Sequence, residues 1–508
     1  MRLLSTLFLA RLLSASEIRC DEDKEVCEIE LTISSRLAKT ASTAPGSRDY
    51  PVEFQKDGRL TFRENAWYAD ERVAQKKSGF NSSDLTNDLP SVVYGDGNDN
   101  LEVILVNGEY PGPTIRVPEG KYLAIKVINT MVEKNTIVHW HGMSQKGSYM
   151  YDGTMYLQCP IQPMHSFIYR FKAEPAGVHW YHAHYINQRY DGLFGALIVE
   201  RSADELRVDY EKKIMENDGS SRTQDFTYFV ENSKPIPMII HEIGHLTSTA
   251  NTLSNDYYSG FNGAVTVHGT KRLRKHDGQE INAALYDTTA INGRGRNPKY
   301  LNLNVITPYE VVAYKSEKLI GLINAGGDYG HEVSVEKHLL RVVECDGMKI
   351  KPIEVKFLHI FPGETFTVQL IPINSDIDVE HGEYFFRVET MAELTWGDVD
   401  TLLSKPVGMS REEELSWQSR FFKSIPGQEK TDLSAYAIIS YSGDRTAEIV
   451  SREAPKHSVE KSQKLREISE KKIPPKCVFD VNLTYQQFLN CFIFQHDLTK
   501  FVCNADYL

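Results

Sequence analysis

His139-Trp140-His141-Gly142 and Trp180-Tyr181-His182-Ala183-His184 carry the strongest structural signal in the chain, with His182 placed 41 residues after His141. On an extended strand, side chains two apart share a face. Each His-x-His therefore projects two imidazoles side by side, while Trp140 and Ala183 turn the other way into packing. Two such pairs facing each other across a sheet would offer four neutral nitrogen donors, a set that suits copper, zinc, iron or nickel. One pair alone would say little, because histidines are also ordinary core and surface residues. Two pairs, each beside a tryptophan, are a specific signal.

The flanking residues narrow the choice. Pro111-Gly112-Pro113-Thr114-Ile115, Glu119-Gly120 and Asn129 lead into the first pair. Gln145, Asp152-Gly153, Gln158-Cys159-Pro160-Ile161, Tyr169 and Phe171 lie between the pairs, and Gln188, Arg189 and Asp191-Gly192-Leu193-Phe194-Gly195 follow the second. This pattern resembles the first cupredoxin domain of a laccase-like multicopper oxidase, densely over residues 95–200 and loosely over much of 225–450. The resemblance implies copper as cofactor. It makes His139 a ligand of the type 2 copper and His141, His182 and His184 ligands of the type 3 pair. Asp152 matches a family carboxylate that assists proton delivery, which fits the chemistry because water formation consumes protons.

The chain also departs from the family. A complete multicopper oxidase carries a His-x-x-His-x-His and a His-Cys-His in a third cupredoxin domain, and neither occurs here. After His381 only His457 and His496 remain, and no cysteine is flanked by histidines. Half of the trinuclear ligands and the whole type 1 site are therefore missing from these residues. The expectation is a truncated form of a laccase-like oxidase, inactive alone. The full reaction would be one-electron oxidation of phenols, aromatic amines or metal ions, coupled to reduction of oxygen to water. Its partners would be oxygen, a small reducing substrate and a third cupredoxin domain. A ferroxidase in iron or copper handling is the enzymatic alternative, and a secreted copper-binding or scaffolding protein without catalysis is the other.

The whole chain fits that reading. Its 508 residues allow two or three domains with sizeable cores. With 57 basic and 69 acidic residues the net charge is −12, which argues against nucleic acid or an anionic membrane as main partner. The short run Lys271-Arg272-Leu273-Arg274-Lys275 reads as a solvated loop. Residues 1–16 read as a secretory signal, with Arg2 at the basic end, Leu3 to Leu13 mostly apolar and Ser14-Ala15-Ser16 for cleavage. No later run approaches the roughly 20 apolar residues of a membrane span. Secretion, or entry into the secretory lumen, follows as the expectation. Asn81-Ser82-Ser83 and Asn482-Leu483-Thr484 are glycosylation acceptors, and seven widely spaced cysteines suit a disulfide-forming compartment. Cys159 sits where the family often has a cysteine bridging to another domain.

Short apolar stretches alternate with turn signals from Val92 onward: Leu101–Val106, Tyr122–Ile128, Ile137–Trp140, Phe167–Phe171, Val178–Tyr181 and Ala196–Val199. A second series reads Phe226–Val230, Met238–Ile240, Ala264–Val267, Leu319–Ile323, Leu339–Val343 and Thr367–Leu370. The expected fold is all-β, with two cupredoxin-like Greek-key sandwich or barrel domains. The expected order is a signal peptide (1–16), a polar N-terminal extension (17–90), a first cupredoxin domain with the copper motifs (91–204), a Lys/Glu-rich linker (205–225), a second cupredoxin domain (226–450) and a linker or tail (451–508). The resemblance gives the second domain a supporting role without copper.

One motif points elsewhere. His241-Glu242-Ile243-Gly244-His245 spells the zinc-protease pattern, whose chemistry needs both histidines on one face of a helix. Pro237-Met238-Ile239-Ile240 leads in as a strand and Gly244 weakens a helix, so the sequence predicts a strand here. His179, on the strand face opposite His182 and His184, and His165, without a partner at metal spacing, are expected to be non-ligands.

Overall fold

The computed structural model describes residues 16–20, 23–42, 49–54, 60–62, 92–98, 101–216, 226–245, 288–296, 309–315, 317–327, 329–373, 377–390 and 434–442. Residues 1–15 of the expected 1–16 signal, both glycosylation acceptors, the expected Ala264–Val267 strand, the 271–275 basic run and the tail from 451 lie outside the described residues.

The fold is all-β. Two sheets face each other around the first core. One has the order β1-β7-β12-β11-β9, formed by Glu17–Arg19, Thr114–Pro118, Phe194–Glu200, Gly177–Ala183 and Val138–His141. The other has the order β10-β8-β2-β6, formed by Ser166–Lys172, Tyr122–Asn129, Val26–Leu37 and Glu102–Val106. Leu31, Ile125, Trp140, Phe171, Tyr181 and Leu197 meet between them. A small three-stranded sheet, β3-β4-β5, is formed by Thr40–Ser42, Asp49–Phe54 and Leu60–Phe62.

A second sandwich pairs a seven-stranded sheet with a five-stranded one. The larger follows β15-β14-β13-β17-β22-β19-β20, that is Arg294–Gly295, Thr288–Ile291, Ile236–Ile243, Leu319–Asn324, Thr365–Pro372, His338–Cys345 and Met348–Val355. The smaller follows β16-β24-β23-β18-β21, that is Glu310–Ala313, Ala435–Ser440, Glu383–Thr390, His331–Val335 and Leu358–Ile360. No helix among the described residues is long and apolar enough to cross a membrane.

Two expectations need correction, and the linker gains a conformation. Residues 17–37, read as part of an extension, supply β1 and β2, and β2 lies between β8 and β6. The reason is visible in the sequence: Cys27, Ile29, Leu31 and Ile33 alternate with outward residues, so one face is buried. The Lys/Glu-rich linker is helical over Ala203–Glu216 (α1). Ser202 and Glu205 form the start signal, the Glu205 N–H donating to Ser202 Oγ at 3.2 Å. Phe226–Val230, expected as a strand, belongs to a second short helix, Phe226–Asn232 (α2). Phe226 and Phe229 share a helical face three residues apart, and both rings pack on Tyr210 of α1, at 5.4 and 5.5 Å.

The two sandwiches join through a core of their own. On β11 and β12, Tyr181, Leu197 and Val199 point into the first core, whereas Val178, Trp180, Ala196 and Ile198 point out. There they meet Ile239 and Ile243 of β13, with Ala290, Ile323 and Ala325. Period-two alternation thus feeds two cores from one strand, and every residue of β11 is buried.

A charged clasp closes the same seam. Asp96, 2% exposed, accepts from His245 Nε2 at 2.7 Å, Thr288 Oγ1 at 2.8 Å and the Asn98 N–H at 3.1 Å. Burial pushes the Asp96 carboxyl up, but the His245 and Thr288 bonds outweigh it and hold the group below its ordinary 3.8. A depressed carboxyl contributes stability above its unfolded pKa and loses it as pH falls through the folded one. Asp96→Asn is expected to cost about 1.5–3 kcal/mol at pH 7. Denaturant titrations should show that gap closing as pH falls below about 4.

Candidate metal centre

Antiparallel pairing of β9 with β11 sets His139 opposite His182 and His141 opposite Trp180. One ring nitrogen from each of His139, His141 and His182 lies within 4.8 Å of the other two. His184 joins from the end of β11, its ring 5.6 Å from His139 and 6.0 Å from His182. All four motif histidines therefore converge on one patch.

Two of the rings are oriented by their other nitrogen. His139 Nδ1 donates to the Asp152 carbonyl at 2.6 Å, leaving its Nε2 lone pair free. His182 Nδ1 likewise donates to the Ala183 carbonyl at 2.9 Å, and its Nε2 faces His141 Nδ1 at 3.4 Å. Such carbonyl contacts behind a ligand fix tautomer and angle. Burial lowers the pKa of all three rings: His139 is lowered, His141 falls to about 3 and His182 sits well below 6.5. The Arg189 charge adds to this. The rings are neutral at pH 7, the form in which imidazole binds metal.

Asp152 reaches the cluster from the loop after a 3-10 turn at Tyr149–Tyr151, its Oδ1 3.6 Å from His139 Nδ1. Gly153 makes this approach possible: at φ +82° it lies so close to the Val138 carbonyl that a Cβ would collide with it. The two tryptophans have opposite tasks. Trp140 is fully buried against Tyr169 and Phe171 at 5.3 and 5.2 Å. Trp180 is a floor for the site, stacked on His182 at 4.1 Å and His141 at 4.9 Å, with the Arg189 guanidinium 5.9 Å from its ring. Sequence reading set Trp180 only beside the motif. Its place two residues before His182 is the signal that puts it on the metal face.

His179 points to the opposite face, its Nε2 donating to the Pro175 carbonyl at 2.9 Å, and His165 bonds the Pro163 carbonyl at 2.9 Å in a turn. The protease pattern is dispersed. His241 and Glu242 lie on β13, and His245 follows it in a bend. His241 faces the Tyr110 hydroxyl at 3.4 Å, while His245 pairs with Asp96 across the seam. Glu242 accepts the Gly327 and Tyr329 N–H groups at 3.0 and 3.2 Å. These three side chains serve the seam and the second sandwich, and form no shared metal site. Among the described residues Cys20 and Cys27 form a disulfide, while Cys159 is exposed and free.

The donor set fits copper. All donors are neutral imidazole nitrogens, and the 3.4 Å gap between His182 Nε2 and His141 Nδ1 is close to what one ion demands. With metal–nitrogen bonds of 2.0–2.1 Å, a tetrahedral angle sets two donors roughly 3.3 Å apart.

Comparison with known proteins agrees with this geometry. Two family models, each described as multicopper oxidase, match residues 91–204 and 252–400, together about half of the chain. Laccase-1 of Emericella nidulans is 27% identical over 335 residues, covering 58% of this chain and 53% of its own. L-ascorbate oxidase of Nicotiana tabacum is 28% identical over 277 residues, covering 54% of this chain and 43% of its own. The solved structure of Fet3p, described as a multicopper oxidase that functions in iron import, gives a TM-score of 0.48 at 17% identity, over 86% of this chain and 55% of that one. The chain belongs to the multicopper oxidases. It spans about half the length of the curated relatives it matches.

Proposed function

We propose that these residues form the first two cupredoxin domains of a secreted laccase-like oxidase and supply one half of its oxygen-reducing site. The observation that carries this reading is the convergence of His139, His141 and His182 within 4.8 Å, with His184 beside them. His139 would hold the type 2 copper, and His141, His182 and His184 the type 3 pair. Bound copper would supply one-electron redox chemistry and the surface on which oxygen is reduced.

The chain's own residues do the rest. The Asp152 and Ala183 carbonyls hold the His139 and His182 rings in the tautomer that leaves Nε2 free. Trp180 closes the floor and excludes water from beneath His141 and His182. The Asp152 carboxylate, its side chain 27% exposed and next to His139, can accept a proton from solvent and hold it at the site's edge. A third cupredoxin domain, in the same chain or as a partner, would bring the remaining histidines and the cysteine thiolate through which electrons enter. The reaction is one-electron oxidation of a phenol, an aromatic amine or a metal ion. Secretion is supported by the signal-like residues 1–16 and the Cys20–Cys27 disulfide.

Residues 17–508 expressed alone are expected to bind copper weakly, to show no blue absorbance and to turn over no phenol or Fe(II). Blue colour needs a copper–thiolate bond held with two histidines. Adding a third domain that carries His-x-x-His-x-His and His-Cys-His should restore colour and oxygen consumption. Turnover by the isolated chain, or no copper binding at all, would overturn this reading.

A further inference from the structure

The histidine cluster lies in the first sandwich, yet the second sandwich touches it. Between β21 and β22, the Phe361–Glu364 turn brings Gly363 against the edge of the His141 ring. A Cβ at Gly363 would lie 3.3 Å from His141 Cε1 and 3.7 Å from Nε2. The turn is tightly made. The Gly363 N–H donates to the Asn324 carbonyl at 2.9 Å, the Asn324 N–H donates to the Glu364 carbonyl at 3.1 Å, and Glu364 Oε2 accepts the Phe361 N–H at 2.8 Å. Asn324 is fully buried, and its side-chain amide also ties Tyr329 and Ile360 at 3.1 Å each. Just beyond the turn, Thr365 Oγ1 donates to the Val178 carbonyl of β11 at 2.9 Å. Turn and cluster strand are thus bolted together.

This contact acts on a ring that has a choice. His141 could present either nitrogen to the cluster by rotating about its Cβ–Cγ bond. Trp180 stacks on one face at 4.9 Å, and His182 Nε2 stands 3.4 Å from Nδ1. Gly363 covers the opposite, Cε1–Nε2 edge. We propose that the second domain's Phe361–Glu364 turn is a positioning element of the metal site, with Gly363 backing His141 so that Nδ1 is the nitrogen presented to the cluster. The proposal rests on the copper reading above, but assigns to the second domain a part that reading does not require. Glycine suits the position twice over: its φ is +92°, and a side chain would press on the ring.

The test uses the full chain, copper(II) alone as probe, and three proteins: the unmodified chain, Gly363→Ala and Gly120→Ala. Gly120 has a similar φ of +85°, and a Cβ there would meet only Lys172, at 3.9 Å. Both substitutions should lower Tm by a similar amount, from the same backbone strain. Only Gly363→Ala should weaken copper(II) binding, by roughly 10-fold or more, the range seen when a group that orients a ligand is lost. It should also change the nitrogen hyperfine pattern in the electron paramagnetic resonance spectrum. If the unmodified chain binds no copper at these histidines, the copper reading fails. If it binds and Gly363→Ala matches it in affinity and spectrum, the positioning role is wrong. Equal loss in both variants would show general loosening and would also overturn it.

Discussion

Replacing His182 by alanine is expected to lower the chain's affinity for copper(II) by at least ~100-fold, more than the roughly 10–100-fold that follows loss of a group merely orienting a ligand. His182 is the most enclosed of the cluster histidines, 4% exposed, stacked on Trp180, with Nε2 facing His141 at 3.4 Å. Alanine removes a donor and leaves a hole beside Trp180 that no neighbouring ligand fills. The control lies on the same strand. His179→Ala cuts a comparably buried imidazole from the opposite face, where it donates to the Pro175 carbonyl. It should lower stability and leave copper affinity within about twofold, because alternation along a strand keeps it off the metal face. Isothermal titration with copper(II) on both variants decides the matter. Equal losses would mean that the cluster is only a packed group of histidines. In an enzyme completed by a third domain, His182→Ala should abolish oxygen consumption yet leave the blue band, since electron entry and oxygen chemistry use different coppers.

A steep loss of stability between pH 6.5 and 4 is the second large effect expected. His241 is 2% exposed at the seam, wedged between Tyr110 and Phe194 with ring separations of 5.4 and 4.8 Å. Burial lowers its pKa to about 4, and the Glu242 carbonyl and charge raise it only in part. The direction follows from linkage: the ring stays neutral in the fold but takes a proton near pH 6.5 once unfolded. Its stabilising share is complete above about 6.5, declines as pH falls and is exhausted near the folded value. For a group this buried the decline amounts to about 3 kcal/mol. His179, at about 4, acts in the same sense from the opposite face of β11. His241→Gln keeps a neutral polar group facing the Tyr110 hydroxyl and does not titrate. It should cost stability at pH 7 yet flatten the profile, so that the two proteins converge near pH 4.5. Parallel profiles in urea unfolding from pH 7 to 4.5 would remove His241 as the acid-sensitive group.

Sequence alone determined what depends on spacing along a strand. The two His-x-His pairs, each with a period of two, put the imidazoles of each pair on one face of their own strand without knowledge of the fold; that both pairs share a side follows from the pairing of β9 with β11. The same period-two rule placed His179 on the face opposite His182 and His184, while the strand-like Pro237–Ile240 run and Gly244 marked His241-Glu242 as strand residues. Six apolar stretches in the first sandwich and four in the second correspond to strands because short apolar runs bounded by turn signals mark buried strands, and where one face is exposed, as in β8, the alternation shows as well. β2 carried that alternation too, in Cys27, Ile29, Leu31 and Ile33, but the polar surroundings of 17–90 hid it. The helix at Phe226–Asn232 was not legible, because a run of seven residues with three aromatics suits either element until Tyr210 supplies a partner.

Packing between sheets, by contrast, brings together residues far apart in the chain. Which nitrogen of His141 faces His182, and that Gly363 stands behind it, depends on how two sandwiches share the Val178–Ile323 seam. Asp96 and His245 are 149 positions apart and form a clasp because their sheets meet, and nothing local to either predicts the other. Period and spacing fix the direction of a side chain relative to its own strand. Its neighbours are set by how buried faces of different sheets pack, and that information is spread over the whole chain.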